Sequence, residues 1–153
     1  MVPPENVWSY VSMPENFPKW SGTLENIEVI KEKTAGIGTT VRASIGGLEL
    51  VMEVTEYIEN KRVSSQAIAG DLKKLTHSFD LDPIEGGTRL TYMLDYAVPR
   101  ILGGKILDVL LIRRTIDDEM EKGLQRLKSL LEDLWLFLKD HSTSADKTEE
   151  SLR

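Results

Sequence analysis

The chain contains no cysteine, only two histidines, and just three Trp, four Tyr and three Phe. Without cysteine there is no thiol catalysis, no disulfide framework and no cysteine-ligated zinc. The histidines, His77 and His141, stand too far apart in sequence for a metal site built on local spacing, so no metal or cofactor is expected. No apolar run reaches the roughly 18 residues that a transmembrane helix needs. Positive charge is scarce as well. The net charge of −6 argues against nucleic acid, whose phosphates require a basic footprint. The opening residues MVPPENVW carry neither the basic stretch nor the apolar core of an export signal, and the cytoplasm is the expected location. GIGTT at 36–40 lacks the lysine of a phosphate loop and does not precede a helix.

What is present is a pattern. The 153 residues, 41% hydrophobic and 29% charged, suit one globular domain. From Val109, apolar residues recur at Ile112, Ile116, Met120, Leu124, Leu127, Leu131, Leu134 and Leu138. Their mean step is close to the helical repeat of about 3.6, which predicts one long amphipathic helix. So long a stripe requires a large apolar surface to cover. Beyond Lys139 the polar string DHSTSADKTEESLR loses the period, so residues 140–153 are expected to be a disordered tail behind a domain at 1–139.

Before that helix the periods are shorter. Pro3-Pro4 opens a small helix that carries Val7, Trp8 and Val11, and a second short turn runs from Pro14 to Trp20. Six segments then alternate with period two, at 25–30, 40–45, 48–55, 63–69, 75–82 and 88–96. Gly36–Gly38, Gly46-Gly47, Glu59–Lys61, Gly70-Asp71 and Pro83–Gly87 separate them at hairpin length, which predicts an antiparallel sheet with one buried face. Pro99 and Gly103-Gly104 part the last strand from the helix. The fold class is therefore α+β: a curved antiparallel sheet wrapped around a long C-terminal helix, with two short helices near the N-terminus.

VWSYVSMPENFPKW at 7–20, GIGTTV at 36–41, VTEYIENKRV at 54–63 and EGGTRLTYMLDYAVP at 85–99 occur in an order that resembles the START-like, birch-pollen-allergen-like (SRPBCC) superfamily. Within it, the chain looks like the polyketide cyclase/dehydrase and lipid-transport group. The resemblance covers residues 3–138 and implies a helix-grip fold with a cavity between sheet and helix. Members normally begin with a strand ahead of the first small helix. Here only Met1 and Val2 precede Pro3, so that strand is expected to be missing or clipped, leaving strand edges that a second copy could cover.

Inward alternation places His77 among Leu75, Phe79 and Leu81, and Tyr92 and Tyr96 among Leu90 and Leu94. A desolvated imidazole stays neutral near pH 7 and can exchange a proton with a bound carbonyl or hydroxyl. The alternative is a half-buried histidine bonded to a neighbouring strand or to water. Tyr92 and Tyr96 would orient a ligand oxygen or simply pack. Trp8 and Trp20 would line the cavity mouth or plug it. Met52, Phe79 and Met120 would form adaptable or apolar lining. The expected ligand-binding set is thus Trp8, Trp20, Met52, His77, Phe79, Tyr92, Tyr96 and Met120, with His77 and Tyr92 the only catalytic candidates. At 134–138, LWLFL is too apolar for one sheet-facing stripe, so some of Trp135, Leu136 and Phe137 must face elsewhere.

Three functions remain open. The first is binding or transport of an apolar or amphipathic small molecule (a lipid, isoprenoid or polyketide-like compound) in an internal cavity. The second is a cyclase or dehydratase with His77 as base and Tyr92 as acid, against which no inward carboxylate orients the imidazole. The third is an interaction module docking through the end of the long helix, with a homodimer through strand edges or Trp135 and Phe137 as one form.

Overall fold

The computed structural model describes residues 1–22, 24–31, 36–72 and 74–151, with side chains as far as Lys139. Lys73, His141 and the other side chains of the polar tail lie outside the described residues.

Helix α1 (Pro4–Val11) begins with proline at its first position, where a missing N–H costs no hydrogen bond. It buries Val7, Trp8 and Val11. A 3-10 helix (Pro14–Lys19) follows, with Phe17 buried. Strands β1 (Leu24–Lys31), β2 (Thr40–Ile45), β3 (Leu48–Ile58), β4 (Arg62–Gly70), β5 (Leu75–Ile84) and β6 (Gly87–Tyr96) form one sheet in chain order. Every neighbouring pair is antiparallel. Helix α2 spans Val109–Ser151, so the helical backbone continues past Lys139, where the apolar period ends. This is the α+β architecture that the periodicities predict and the helix-grip fold that the resemblance implies.

Four local expectations change. First, β1 does not alternate simply. Asn26 adopts φ +52 and the register slips between Glu25 and Glu28, so Leu24 and Ile27 both turn inward while Glu25 is exposed. Asparagine tolerates the left-handed region that such a bulge requires. Second, Pro83 lies within β5, and the turn shrinks to Glu85-Gly86. The β4 partner of β5 ends at Asp80, so the proline ring meets no ladder on that side.

Third, the linker before α2 holds a small hairpin, β7 (Ile101–Leu102) with β8 (Lys105–Ile106), turned by Gly103 and Gly104 at φ +57 and +78. Both glycines take the positive φ of a tight hairpin turn, a conformation costly for other residues. Asp108 then caps α2: its Oδ1 accepts the Leu111 N–H at 3.0 Å.

Fourth, the helical stripe is buried through Leu131 but not beyond. Leu134 and Leu138 are exposed, and the half-buried Trp135 takes over the contact with the core. Trp135 lies at i+4 from Leu131, one turn on, and so stays on the face that Leu131 presents to the core. Leu136 and Phe137 are more than half exposed.

Two clusters make the core. One gathers Trp8, Phe17, Trp20, Phe79, Leu127 and Leu131; the other centres on Leu50, Leu72, Leu75 and Ile116. The outer strands of the sheet are β1 and β6. Met1 and Val2 lie along the start of β6, where Thr88 Oγ1 donates to the Val2 carbonyl at 2.8 Å. Among the described residues, neither outer strand has a strand partner on its free edge.

Candidate functional site: an aromatic wall under the sheet

The inner face of β5 carries Leu75, His77, Phe79 and Leu81, as its alternation predicts. Cross-strand pairing sets Ser65 opposite His77 on β4, and Tyr92 opposite Phe79 on β6. The 3-10 helix closes over this surface. Phe17 reaches His77 at 5.6 Å between ring centroids and Phe79 at the same separation. Tyr92 lies 4.6 Å from Phe79 and 5.9 Å from His77. Trp20 completes the wall from behind, 6.0 Å from Phe79 and 6.3 Å from Tyr92. Tilted and edge-on pairs at these distances are favourable for aromatic rings.

Two buried nitrogens in this wall have no hydrogen-bond partner among the described residues: His77 Nδ1 and Trp20 Nε1. Burial lowers the His77 pKa to about 4, so the imidazole is neutral at pH 7. Burial also raises the Tyr92 phenol far above its ordinary range. Unsatisfied buried polar groups are rare in native proteins and call for an explanation.

The space in front of the wall is small. The cavity bounded by Phe17, Ile27, Met52, Val63, His77 and Phe79 measures about 60 Å³. That is room for a few water molecules, far below the roughly 300–1,000 Å³ of small-molecule pockets. Beside β5 the expected gap between helix and sheet is therefore largely filled, because Phe17 and Trp20 pack into it against Phe79. A larger hollow of about 430 Å³ lies between α1, the β5–β6 turn and α2. Val7, Leu90, Leu124, Leu127 and Leu131 wall it, with the exposed Lys128 and Glu132 at the rim.

The expected site residues thus separate. His77, Phe79 and Met52 line the small cavity. Trp20 and Tyr92 stand against Phe79 in the wall. Trp8 is 5% exposed and packs edge-on against Tyr57 at 4.9 Å. Met120 packs against the same core from α2, away from the cavity lining. Tyr96 does not join the group. Its hydroxyl donates to Asp117 Oδ1 at 3.1 Å, and Arg113 stacks over its ring at 5.5 Å, tying β6 to α2. Burial, and after it that bond, push its pKa up to about 12.

Phe17 and Ser65 belong to the site although neither was singled out. Ser65 was legible as an inward position of its strand. Phe17 was not, because a six-residue turn bounded by prolines has no periodicity that aims a side chain.

The first glycine of GIGTT has a packing role. At Gly36, with φ +78, a Cβ would collide with the ring of Tyr57, which itself packs on Trp8. Among the described residues, no group of three His, Cys, Asp or Glu is placed to hold a metal, and no helix is long and apolar enough to cross a membrane.

A sheet gripping a long helix over an internal aromatic cavity defines the class. The chain belongs to the family described as polyketide cyclase / dehydrase and lipid transport, which it matches over residues 1–132. No curated protein matches it. Among solved structures it is similar to a START superfamily protein from Mycobacterium smegmatis. The two are 20% identical, with 87% of this chain and 92% of that one covered at a TM-score of 0.69. It is also similar to Ara h 8.0201, 14% identical over 86% and 91% of the chains, TM-score 0.60. A third similarity is to the Aha1 dimer from Colwellia psychrerythraea, 19% identical over 85% and 88%, TM-score 0.57. Identities this low establish a shared fold.

Proposed function

We propose that the protein binds an apolar or amphipathic small molecule, a lipid, isoprenoid or polyketide-like compound, against the aromatic wall beneath β4–β6. The observation that carries this reading is the unpartnered, buried His77 Nδ1 in a mainly apolar lining whose other polar side chains are Ser12 and Ser65. A ligand carbonyl or hydroxyl there would satisfy it, and the rings would bury the ligand's carbon skeleton. A lipid-sized ligand requires the 3-10 helix to yield, with Phe17 the side chain to be displaced. Burial supplies the affinity, at about 25 cal/mol per Å² of apolar area.

A second placement is favoured by volume. The 430 Å³ hollow beside α1 accepts a ligand without rearrangement, with Lys128 at its rim for an anionic head. Turnover has less support than binding. As a cyclase or dehydratase the pair would be His77 and Tyr92, yet no partner on Nδ1 orients the imidazole, and the raised Tyr92 pKa makes the phenol a poor acid.

Native mass spectrometry of protein purified from its own cells, together with titration by palmitate and by an anilinonaphthalene sulfonate dye, tests the proposal. Wild type is expected to carry an apolar compound and to take up the probes, and Ser65→Leu to abolish uptake by filling the inner cavity. Loss in Leu90→Trp with retention in Ser65→Leu places the ligand in the outer hollow instead. A wild-type protein that arrives empty and binds neither probe refutes both placements.

A further inference from the structure

The most exposed apolar side chains beyond the N-terminus lie together at the opposite end of α2 from α1. Ile101 and Ile106 are a cross-strand pair on the outer face of the β7–β8 hairpin, 64% and 86% exposed. Their neighbours in sequence, Leu102 and Leu107, turn inward and are half-buried. Leu110 and Leu111, in the first turn of α2, are 82% and 60% exposed, while Ile112 and Ile116 face the core. The hairpin and the first helical turn therefore each have an inner face spent on the fold and an outer face that is apolar and unused. Four large aliphatic residues within eleven positions is a local concentration, unlike single exposed side chains scattered over a surface.

Charge is segregated to the same place. Residues 100–114 hold Arg100, Lys105, Arg113 and Arg114 against Asp108 alone, a net +3. The whole chain carries −6, so the other 138 residues carry −9. Asp108 is committed to the helix cap, and Asp117, in the following turn, accepts the Tyr96 hydroxyl. Asp108, Asp117 and Asp118 nevertheless keep their charges and line one hollow with Leu110, Leu111 and Arg114, so over residues 100–118 the net charge is +1, from four cations against three acids. Arg113 is held on Tyr96, which leaves Arg100, Lys105 and Arg114 around the apolar tip.

We propose that the tip formed by β7, β8 and the first turn of α2 docks onto an anionic phospholipid surface. Exposed aliphatic side chains with Arg100, Lys105 and Arg114 close in sequence match a membrane interface, where the former enter the headgroup boundary and the latter meet lipid phosphates. Four side chains present less than the roughly 800 Å² per partner of a standard protein interface, but insertion needs no such area. The tip is separate from the aromatic wall and from the 430 Å³ hollow, so the inference does not rest on ligand binding.

Co-sedimentation of the full chain with vesicles tests it. The vesicles are phosphatidylcholine alone, or phosphatidylcholine with about one-third phosphatidylserine. Wild type is expected to sediment with the anionic vesicles and to be released by high salt. The double variant Ile106→Ser/Leu110→Ser is expected to lose binding. Lys105→Gln/Arg114→Gln is expected to weaken it at least tenfold, since each cation near the surface contributes about fivefold. All four positions are exposed, and thermal melts superimposable on wild type confirm that the variants fold. Absence of sedimentation, equal sedimentation with neutral vesicles, or serine variants that bind normally would each overturn the proposal. So would a concentration-dependent mass in light scattering without lipid that Ile106→Ser/Leu110→Ser abolishes, which assigns the tip to a second copy of the chain.

Discussion

Replacing His77 by Gln should remove a specific acid sensitivity from the fold. In the unfolded chain the imidazole titrates near its ordinary 6.5, and in the folded protein burial lowers that to about 4. The unfolded state therefore takes up a proton in a window where the folded state resists it. The histidine's contribution is fully present above pH 6.5 and is lost as pH falls toward 4. At 1.4 kcal/mol per pH unit, the displacement amounts to about 3 kcal/mol. Many carboxylates also titrate in acid, so the useful quantity is a difference. Urea unfolding of wild type and His77→Gln at pH 7.5, 6.5, 5.5 and 4.5 gives two stability curves. Glutamine keeps a hydrogen-bonding side chain of similar reach and has no proton to gain. Wild type should lose stability relative to the variant across this series, by about 2 to 3 kcal/mol in total. Parallel curves would refute the buried, neutral imidazole, and with it the placement of Nδ1 behind Phe17. A bound ligand that accepts or donates at Nδ1 should change the window, so the same series with and without palmitate reads occupancy of the wall.

Three further outcomes are expected. Phe79 is fully buried at the centre of the aromatic wall, and Phe79→Ala should cost about 3 to 5 kcal/mol in urea unfolding. A cost under 1 kcal/mol would mean the wall is loosely packed. Gly36→Ala forces a left-handed φ on alanine and drives a methyl group into Tyr57; a loss of at least about 2 kcal/mol is expected, relieved in part by Tyr57→Ala. Tyr96→Phe removes the hydroxyl bond to Asp117 without touching the inner cavity. It should lower stability by about 1 kcal/mol and leave palmitate uptake unchanged, whereas lost uptake would return Tyr96 to the binding site.

The path from sequence to site was uneven for identifiable reasons. The inward set Leu75, His77, Phe79 and Leu81 followed from period-two alternation, because a strand's geometry forces alternate side chains to opposite faces. The same rule failed in β1, where one left-handed asparagine inserts an extra residue and resets the faces. Tyr92 and Tyr96 share a face, yet only Tyr92 meets the wall. Which of two inward residues reaches a cavity depends on where the crossing helix lies, and Arg113 and Asp117 of α2 capture Tyr96 first.

The sequence by itself determined the elements: six strands, two small N-terminal helices, one long helix, and which side of most strands is apolar. Backbone periods and turn residues are local, and local chemistry is readable along a chain. Only the tertiary structure decided how much of the interior stays empty. The volume left under the sheet depends on how far Phe17 and Trp20 penetrate, and that is set by the approach of the 3-10 helix to β5 and α2. At Gly123 of α2, the absent side chain lets the Trp20 carbonyl and ring lie where a Cβ would find them at 3.2 and 3.3 Å. Contacts between elements more than a hundred residues apart leave no periodic trace, so the sequence showed the lining of the site but not its size.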